Sequence, residues 1–328
     1  MAIARASASS FLATYVEPDG RVVRRDQGGD TVSEGQAYAL LLAEVAGRTA
    51  TFARVWAWTR SHLLQPDGLL AYHATATRVL DPNAASDADV LAAWALLRYS
   101  GPDAAQYQRA GRSLAAAVLE SELAYPQAGA PVLAAGPWAT GLPATVDPSY
   151  FALPAFAALG AATKDARWAA LSRDAVALTR SLTRDGALLP PDWARVDASG
   201  ATPIAAPAGT PARVQYGLDA QRLVVWLAVS CRPDARALAA AWWRLLAEPG
   251  RSTAMALDQS GGVLDALRHP LPLVAAAAAA AAAGDRSDRD RLLAEADGVA
   301  RRYPTYYGSA WAALGRALLT TSLLGGCG

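Results

Sequence analysis

Lysine occurs once, at Lys164, histidine three times, at His62, His73 and His269, and cysteine twice, at Cys231 and Cys327. The histidines form no spaced pair, so neither a His-based zinc site nor a Ser/His/Asp triad has much to be built from. Two cysteines so far apart exclude a Cys-rich zinc site. They are two free thiols or one disulfide, and spacing does not choose between these. No phosphate-cradling glycine loop followed by Lys-Ser/Thr is present, and no dinucleotide fingerprint follows a strand. Asp-rich metal motifs of the kind a helical terpene cyclase needs are also missing. Lys+Arg 30 against Asp+Glu 29 leaves a net charge of +1. No surplus of positive charge is available for a nucleic-acid backbone or an anionic membrane, and a neutral partner fits better. The longest apolar run, Leu271 to Ala283, is mostly alanine. It is shorter than the roughly 18–20 residues of a membrane-spanning helix and reads as a buried one. No basic segment followed by an apolar one opens the chain, so a signal peptide, if the protein has one, is not expected among these residues.

What the chain has in abundance is helical periodicity. Its 328 residues are 53% hydrophobic, enough for a sizeable core. Apolar residues recur every three and four positions, with almost no β-branched alternation, which reads as all-α. Gly, Pro and capping residues divide the chain into twelve segments, near 5–16, 33–46, 51–64, 87–99, 105–122, 148–162, 166–182, 215–230, 233–247, 270–283, 287–301 and 307–323. Those starting near 33, 87, 148, 215, 270 and 307 are apolar almost all round, and the intervening ones carry Arg and Asp on one side. An all-round apolar helix is buried and a one-sided one lies outside. Six inner helices alternating with six outer ones describe an (α/α)6 barrel, and no linker interrupts it, so residues 1–328 are expected to form one domain.

In such a barrel the starts of the inner helices gather at one end, and the unusual residues fall there. Glu34 follows Ser33, Asp87 follows Ser86 with Asp89 close behind, Asp147 and Tyr150 flank the third inner start, Asp219 precedes Arg222, and Tyr306 and Tyr307 open the sixth. Local sequence explains several of these blandly. Ser33 is a good N-cap and Glu34 a favourable first-turn acid. Ser86 or Asp87 could cap the next helix, although capping needs only one of the two aspartates. Asp219 and Arg222, three apart, could be an ordinary ion pair, but on a helix otherwise nearly uncharged they face into the barrel. A helix N-terminus also lowers a carboxyl pKa, whereas a general acid needs it raised. Ten tryptophans and eleven tyrosines stand against four phenylalanines. Rings with a flat face and a polar edge suit stacking on sugars. Trp56, Trp226 and Trp311 lie within helices and read as packing, whereas Trp138 and Trp193, flanked by Gly and Pro, are better candidates for a cleft.

Six segments in order resemble glycoside hydrolase family 8: Ser33-Glu34-Gly35-Gln36 with Tyr38 to Leu42; Trp56-Ala57-Trp58-Thr59; Ala85-Ser86-Asp87-Ala88-Asp89 leading to Ala93-Trp94-Ala95-Leu96-Leu97; Asp147-Pro148-Ser149-Tyr150-Phe151; Pro191-Asp192-Trp193; and Asp219-Ala220-Gln221-Arg222. The resemblance implies a secreted or periplasmic, monomeric (α/α)6-barrel endoglucanase that hydrolyses a β-1,4-linked polysaccharide with inversion and without cofactor or metal. Glu34 is then similar to the family's general acid and Asp219 to its base. Asp87 is similar to the aspartate that holds the distorted sugar, Tyr150 and Arg222 match positions around that subsite, and Trp138, Tyr72, Tyr306 and Tyr307 look like sugar contacts. Departures are Ala92, Leu218 where many members have Tyr, and Tyr72 where Trp is common. They bear on substrate preference, with chitosan, xylan and mixed-linkage glucan as rivals to cellulose. A non-catalytic glucan-binding protein is the alternative of another class, and the presence of all three carboxylates speaks against it. Inversion needs Glu34 and Asp219 roughly 6.5–9.5 Å apart.

Overall fold

The computed structural model describes residues 1–209 and 211–325. Twelve α-helices form among these: α1 (Ala2–Tyr15), α2 (Ser33–Ala46), α3 (Thr49–His62), α4 (Ser86–Arg98), α5 (Ala104–Ser121), α6 (Leu153–Thr163), α7 (Arg167–Leu182), α8 (Leu218–Ala228), α9 (Pro233–Leu246), α10 (Pro270–Ala282), α11 (Arg286–Arg302) and α12 (Tyr306–Thr320). The even-numbered helices pack in a ring, each against the next, and α12 closes back onto α2. The odd-numbered helices cover them from outside. Burial follows the sequence pattern: α2 and α10 are buried almost along their length, whereas α11 buries only Leu292, Leu293, Ala296 and Val299. The architecture is an (α/α)6 barrel.

The barrel has unlike ends. Connections from an inner helix to the following outer one are two to five residues long, as at Gly47–Arg48 and 99–103. Most connections from an outer helix to the next inner one are far longer and hold short strands that an all-α reading does not anticipate. These are β1 (Thr31–Val32), β2 (Ala71–Ala74), β3 (Val79–Ala84), β4 (Leu123–Gln127), β5 (Ala130–Leu133), β6 (Ala144–Val146), β7 (Trp193–Asp197), β8 (Gly200–Ile204), β9 (Ala254–Leu257) and β10 (Val263–Arg268). All pair antiparallel, as β1-β2-β3, β4-β5, β6-β7-β8 and β9-β10. Strands of two to six residues are too short to display the alternation by which strands are found in a sequence. They thicken one rim of the barrel only, the rim where the inner helices begin.

Two inner starts differ from expectation. Pro148–Tyr150 is a separate 3-10 turn, tightened by the Asp147 carboxylate accepting the Ser149 amide, so α6 begins at Leu153. Tyr216 pairs with Leu257 across the chain, which delays α8 to Leu218. Cys231, just beyond α8, is not a free thiol, and Cys327 lies outside the described residues. No helix among the described residues is long and apolar enough to cross a membrane.

Large rings fill the barrel axis. Trp94 of α4, Trp226 of α8 and Trp311 of α12 meet edge to face, with centroids 6.3 Å and 5.4 Å apart, and Tyr38 of α2 meets Trp311 at 5.7 Å. Each such contact adds about 0.5–1.5 kcal/mol beyond the area it buries. Helical spacing carries the chemistry to the same axis. Tyr38 is four residues from Glu34, Trp94 seven from Asp87, and Trp226 four from Arg222, so each ring and its charged neighbour share a helix face. α10 fills its part of the ring with alanines, and α12 approaches it through Gly315. A Cβ on Gly315 would lie 2.2 Å from Cγ1 of Val274, a side chain with one favoured rotamer in a helix. Alanine favours helix over glycine by about 1 kcal/mol, but overpacking costs about 1–3 kcal/mol. Gly315→Ala is therefore expected to be net destabilising and Gly315→Val more so, read as a fall in the midpoint of urea unfolding.

Candidate active site

Arg222, 3% exposed on the first turns of α8, is the centre of the arrangement. Its Nη1 donates to Asp87 Oδ2 at 2.7 Å and to the Tyr38 hydroxyl at 3.3 Å, and lies 3.6 Å from Glu34 Oε2. Its Nη2 donates to Asp147 Oδ2 at 3.3 Å and to Asp219 Oδ1 at 3.4 Å. The guanidinium carbon sits 5.3 Å from the Tyr150 ring centroid. The 3-residue spacing of Asp219 and Arg222 thus does form an ion pair, but as one spoke of four. Glu34 and Asp219 are held by the two terminal nitrogens of one planar guanidinium, which are about 2.3 Å apart. Adding the 3.6 Å and 3.4 Å contacts, their nearest oxygens can be no more than about 9.3 Å apart.

Four carboxyl groups around one buried cation cannot all be ionised, because each further negative charge is placed in a medium that screens it poorly. Burial, and next to it the charge of Asp87, pushes Glu34 up to about 7. The helix dipole opposes this with about 0.3–1 kcal/mol, under one pKa unit, and loses. Burial raises Asp87 as well, against the opposing pull of Arg222. Burial and Asp219 raise Asp147 well above the carboxylate range. Asp219 differs in exposure: 40% of its side chain faces the cleft, against 18% for Glu34 and 5% for Asp87. The cleft has a volume of about 730 Å³ and is lined by all three, with Tyr72, Tyr150, Trp138, Trp193, Met255, His269 and Tyr307 around them.

The serines do not cap, although Asp87 Oδ1 does accept a first-turn amide, that of Ala88, at 2.8 Å. Val32 and Ala85 are the N-caps of α2 and α4, neither with a side-chain bond; the Ser33 hydroxyl is buried without a partner, and that of Ser86 donates to the Ala134 carbonyl. Tyr306 departs from the expectation of a sugar platform. Its ring is 1% exposed, packed against Phe11 and Tyr15, and only its hydroxyl reaches the site, donating to Glu34 Oε1 at 3.4 Å. Tyr307 is half-buried, with its hydroxyl 3.5 Å from the Leu218 carbonyl. Trp138, 50% exposed, stands on the rim, and Tyr72 lines the wall from β2. Tyr38 was not singled out from sequence, yet it donates to Glu34 Oε2 while accepting from Arg222 and from Trp311 Nε1. Its signal was its place four residues after Glu34. Asp147 had its position before an inner helix and its place at the head of the Asp147-Pro148-Ser149-Tyr150-Phe151 segment, but no role.

Asp89 takes the part that Asp87 leaves. It points away from the cleft, accepts the Leu70 amide at 2.9 Å, and meets Glu122, both side chains fully buried. The remaining oxygen of Asp89 and both of Glu122 have no donor among the described residues. Two acceptors make a hydrogen bond only when one is protonated, so the pair holds a proton between them. Burial raises both well above ordinary carboxyl values, helped at Asp89 by the charge of Asp87 and at Glu122 by the charge of Asp89, while the hydrogen bond with Glu122 pulls Asp89 the other way.

Residues 2–260 match the family described as Glycosyl hydrolases family 8. The chain is 32% identical over 235 residues to a probable endoglucanase of Novacetimonas hansenii, spanning 66% of this chain and 64% of that protein. It is 30% identical over 197 residues to an endoglucanase of Cellulomonas uda, spanning 58% and 55%. The matched region is thus less than two thirds of the length of either relative. Among solved structures, endoglucanase Cel10 of Klebsiella pneumoniae, a family 8 glycosyl hydrolase, superposes with a TM-score of 0.75 at 26% identity over 94% of this chain and 97% of that one. The endo-β-1,4-glucanase CMCax of Acetobacter xylinum does so with 0.75 at 25% identity over 97% and 98%.

Two stability predictions come from the buried charges. Arg222→Met leaves four carboxyls without their cation and should cost about 3–5 kcal/mol at pH 7. Urea unfolding should show the loss shrinking toward pH 5, as the carboxyls take up protons. For Asp89 and Glu122 the folded pKa values lie above the unfolded ones. Their stabilisation is therefore full below the unfolded values and disappears as pH rises through the folded ones. Glu122→Gln keeps a donor toward Asp89 and should flatten that alkaline decline in Tm.

Proposed function

The chain belongs to glycosyl hydrolase family 8, and on that premise we propose that it is an inverting endo-β-1,4-glucanase acting on cellulose or a related β-glucan, with Glu34 as general acid and Asp219 as general base. The observation that carries the reading is the pairing of a carboxyl raised to about 7 with a cleft-exposed carboxylate, tied to one guanidinium within about 9.3 Å. An inverting pair needs roughly 6.5–9.5 Å to admit a water.

The proton on Glu34 passes to the glycosidic oxygen as the bond from that oxygen to the anomeric carbon breaks. Asp219 takes a proton from a water that attacks the same carbon from the opposite face. The products are a free sugar hydroxyl and a hemiacetal of inverted configuration, with Glu34 ionised and Asp219 protonated, and exchange with solvent restores both. Asp87, clamped by Arg222 at the level of the broken bond, accepts from the hydroxyls of the distorted sugar. Tyr150 lies beneath it, while Trp138, Tyr72 and Tyr307 carry neighbouring sugar rings. Like charge next to Glu34 serves the acid, since ionised Asp87 and Asp219 both favour its protonated form. A ring closed by α12 and a cleft complete within one chain support a monomer with a single catalytic domain over 1–328. A polymeric substrate that no cytoplasm takes up supports a periplasmic or secreted place of action.

Glu34→Gln and Asp219→Asn should each lower kcat on carboxymethyl cellulose by about 10²–10⁴-fold, the range for removing a general acid or base. In the wild type, kcat should fall as pH rises through about 7, where Glu34 loses its proton. Proton NMR of early products should show the α-anomer. Equal inactivity of wild type and Glu34→Gln, with glucan still bound, would favour a binding protein instead.

A further inference from the structure

Asp192, in the Pro191-Asp192-Trp193 segment, has no part in the chemistry above and does not line the cleft. It is 5% exposed, and its carboxylate is saturated by donors from the start of α8. Oδ1 accepts the amides of Gly217 at 2.8 Å and Ala220 at 2.9 Å, while Oδ2 accepts Gln215 Nε2 at 2.9 Å. The Asp192 amide in turn donates to the Gln215 carbonyl at 2.8 Å.

These four bonds enclose Asp219. The residue lies between Gly217 and Ala220, whose amides converge on one oxygen, so its backbone cannot tilt without breaking one of them. The N-cap of α8 is Gly217, which has no side chain to cap with, and the helix is capped instead from 25 residues upstream. A Cβ there would stand 2.4 Å from Asp192 Oδ2 and 2.4 Å from Gln215 Nε2, so the Asp192 and Gln215 side chains would have to shift. Tyr216 is pinned on the other side by its pairing with Leu257, and Gln221 by its amide to the Met255 carbonyl at 3.1 Å. Asp219 is the most exposed of the carboxyls around Arg222 and its contact there is long, at 3.4 Å. The guanidinium alone holds its side chain loosely. A buried carboxyl group accepting two backbone amides holds its main chain firmly, even though burial and the charge of Asp219 raise Asp192 to about 7.

We infer that Asp192 is a positioning residue for Asp219, setting the base against the water through the backbone of the α8 start rather than through any contact with substrate. This rests on reading Asp219 as the base. The test compares Asp192→Ala, Asp192→Asn, Gly217→Ala and Asp219→Asn on a soluble β-1,4-glucan oligosaccharide, with folding checked by circular dichroism. Asp192→Ala should lose about 10- to 100-fold in kcat, the scale of a 1 Å misplacement, with KM little changed. Asp192→Asn should stay within about threefold of wild type, because an amide oxygen accepts the same two N–H groups and Gln215 can turn to present its own oxygen. Gly217→Ala, which displaces the turn and keeps the carboxylate, should fall with Asp192→Ala and carries the test should that variant not fold. The inference is overturned if Asp192→Ala or a folded Gly217→Ala keeps wild-type kcat, if Asp192→Asn falls as far as Asp192→Ala, or if the loss is in KM alone, while Asp219→Asn is inactive. An active Asp219→Asn overturns the base assignment itself and the inference with it.

Discussion

One buried guanidinium decides how this site works. Arg222 contacts Asp87, Asp147, Asp219 and Glu34, which lie on or just before three of the inner helices and on α8 itself. A single positive charge cannot balance four negative ones in a poorly solvated place, so part of the set must stay protonated at neutral pH. The strongest ion pair, at 2.7 Å, is with Asp87, and Glu34 at 3.6 Å is held most weakly. Burial favours a proton on Asp147 and on Glu34, and of these two Glu34 lines the cleft. The same contact set determines which acids are near one another, since the reach of the guanidinium limits how far apart Glu34 and Asp219 can be. Charge balance and spacing have one cause.

The barrel supplies the frame for that cation. Trp226, one turn after Arg222, is wedged against Trp94 and Trp311, and Trp311 donates to Tyr38, which bonds to both Arg222 and Glu34. The packed axis and the polar mouth are thus continuous, and a shift of any inner helix would be felt at the carboxyls. Short turns at one end and long strand-bearing connections at the other allow all the variable chain to gather on the cleft side. Rigid helix starts hold the acids, and the connections bring Trp138, Trp193 and Met255 around them.

Much of this was legible in the sequence. All-round apolar segments alternating with one-sided ones marked inner and outer helices, because burial on every side leaves a composition that no surface helix has. Glu34, Asp87, Asp219 and Arg222 stood out as charges on such segments. The strands were not legible, being too short for a period. Nor were the partners of the charged groups. Ser33 looks like a cap for the helix of Glu34, but it is buried inside α2, and the rule that favours serine at a helix start says nothing of what packs over it. Tyr306 and Tyr307 are adjacent and alike in sequence, yet neighbouring positions on a helix face directions about 100° apart, so one ring is buried behind Glu34 and the other borders the cleft.

By itself the sequence determined the helical ring, the end at which its acids gather and the identities of those acids, since hydrophobic period and residue type are local properties. Only the tertiary structure decided what Asp89 bonds to, which acid keeps its proton, and that Asp192 caps a helix 25 residues on. Those outcomes depend on distance and burial among residues far apart in the chain. Glu34 has the same local context in either case; its rise to about 7 comes from lost water and from Asp87, 53 positions away and brought beside it by folding.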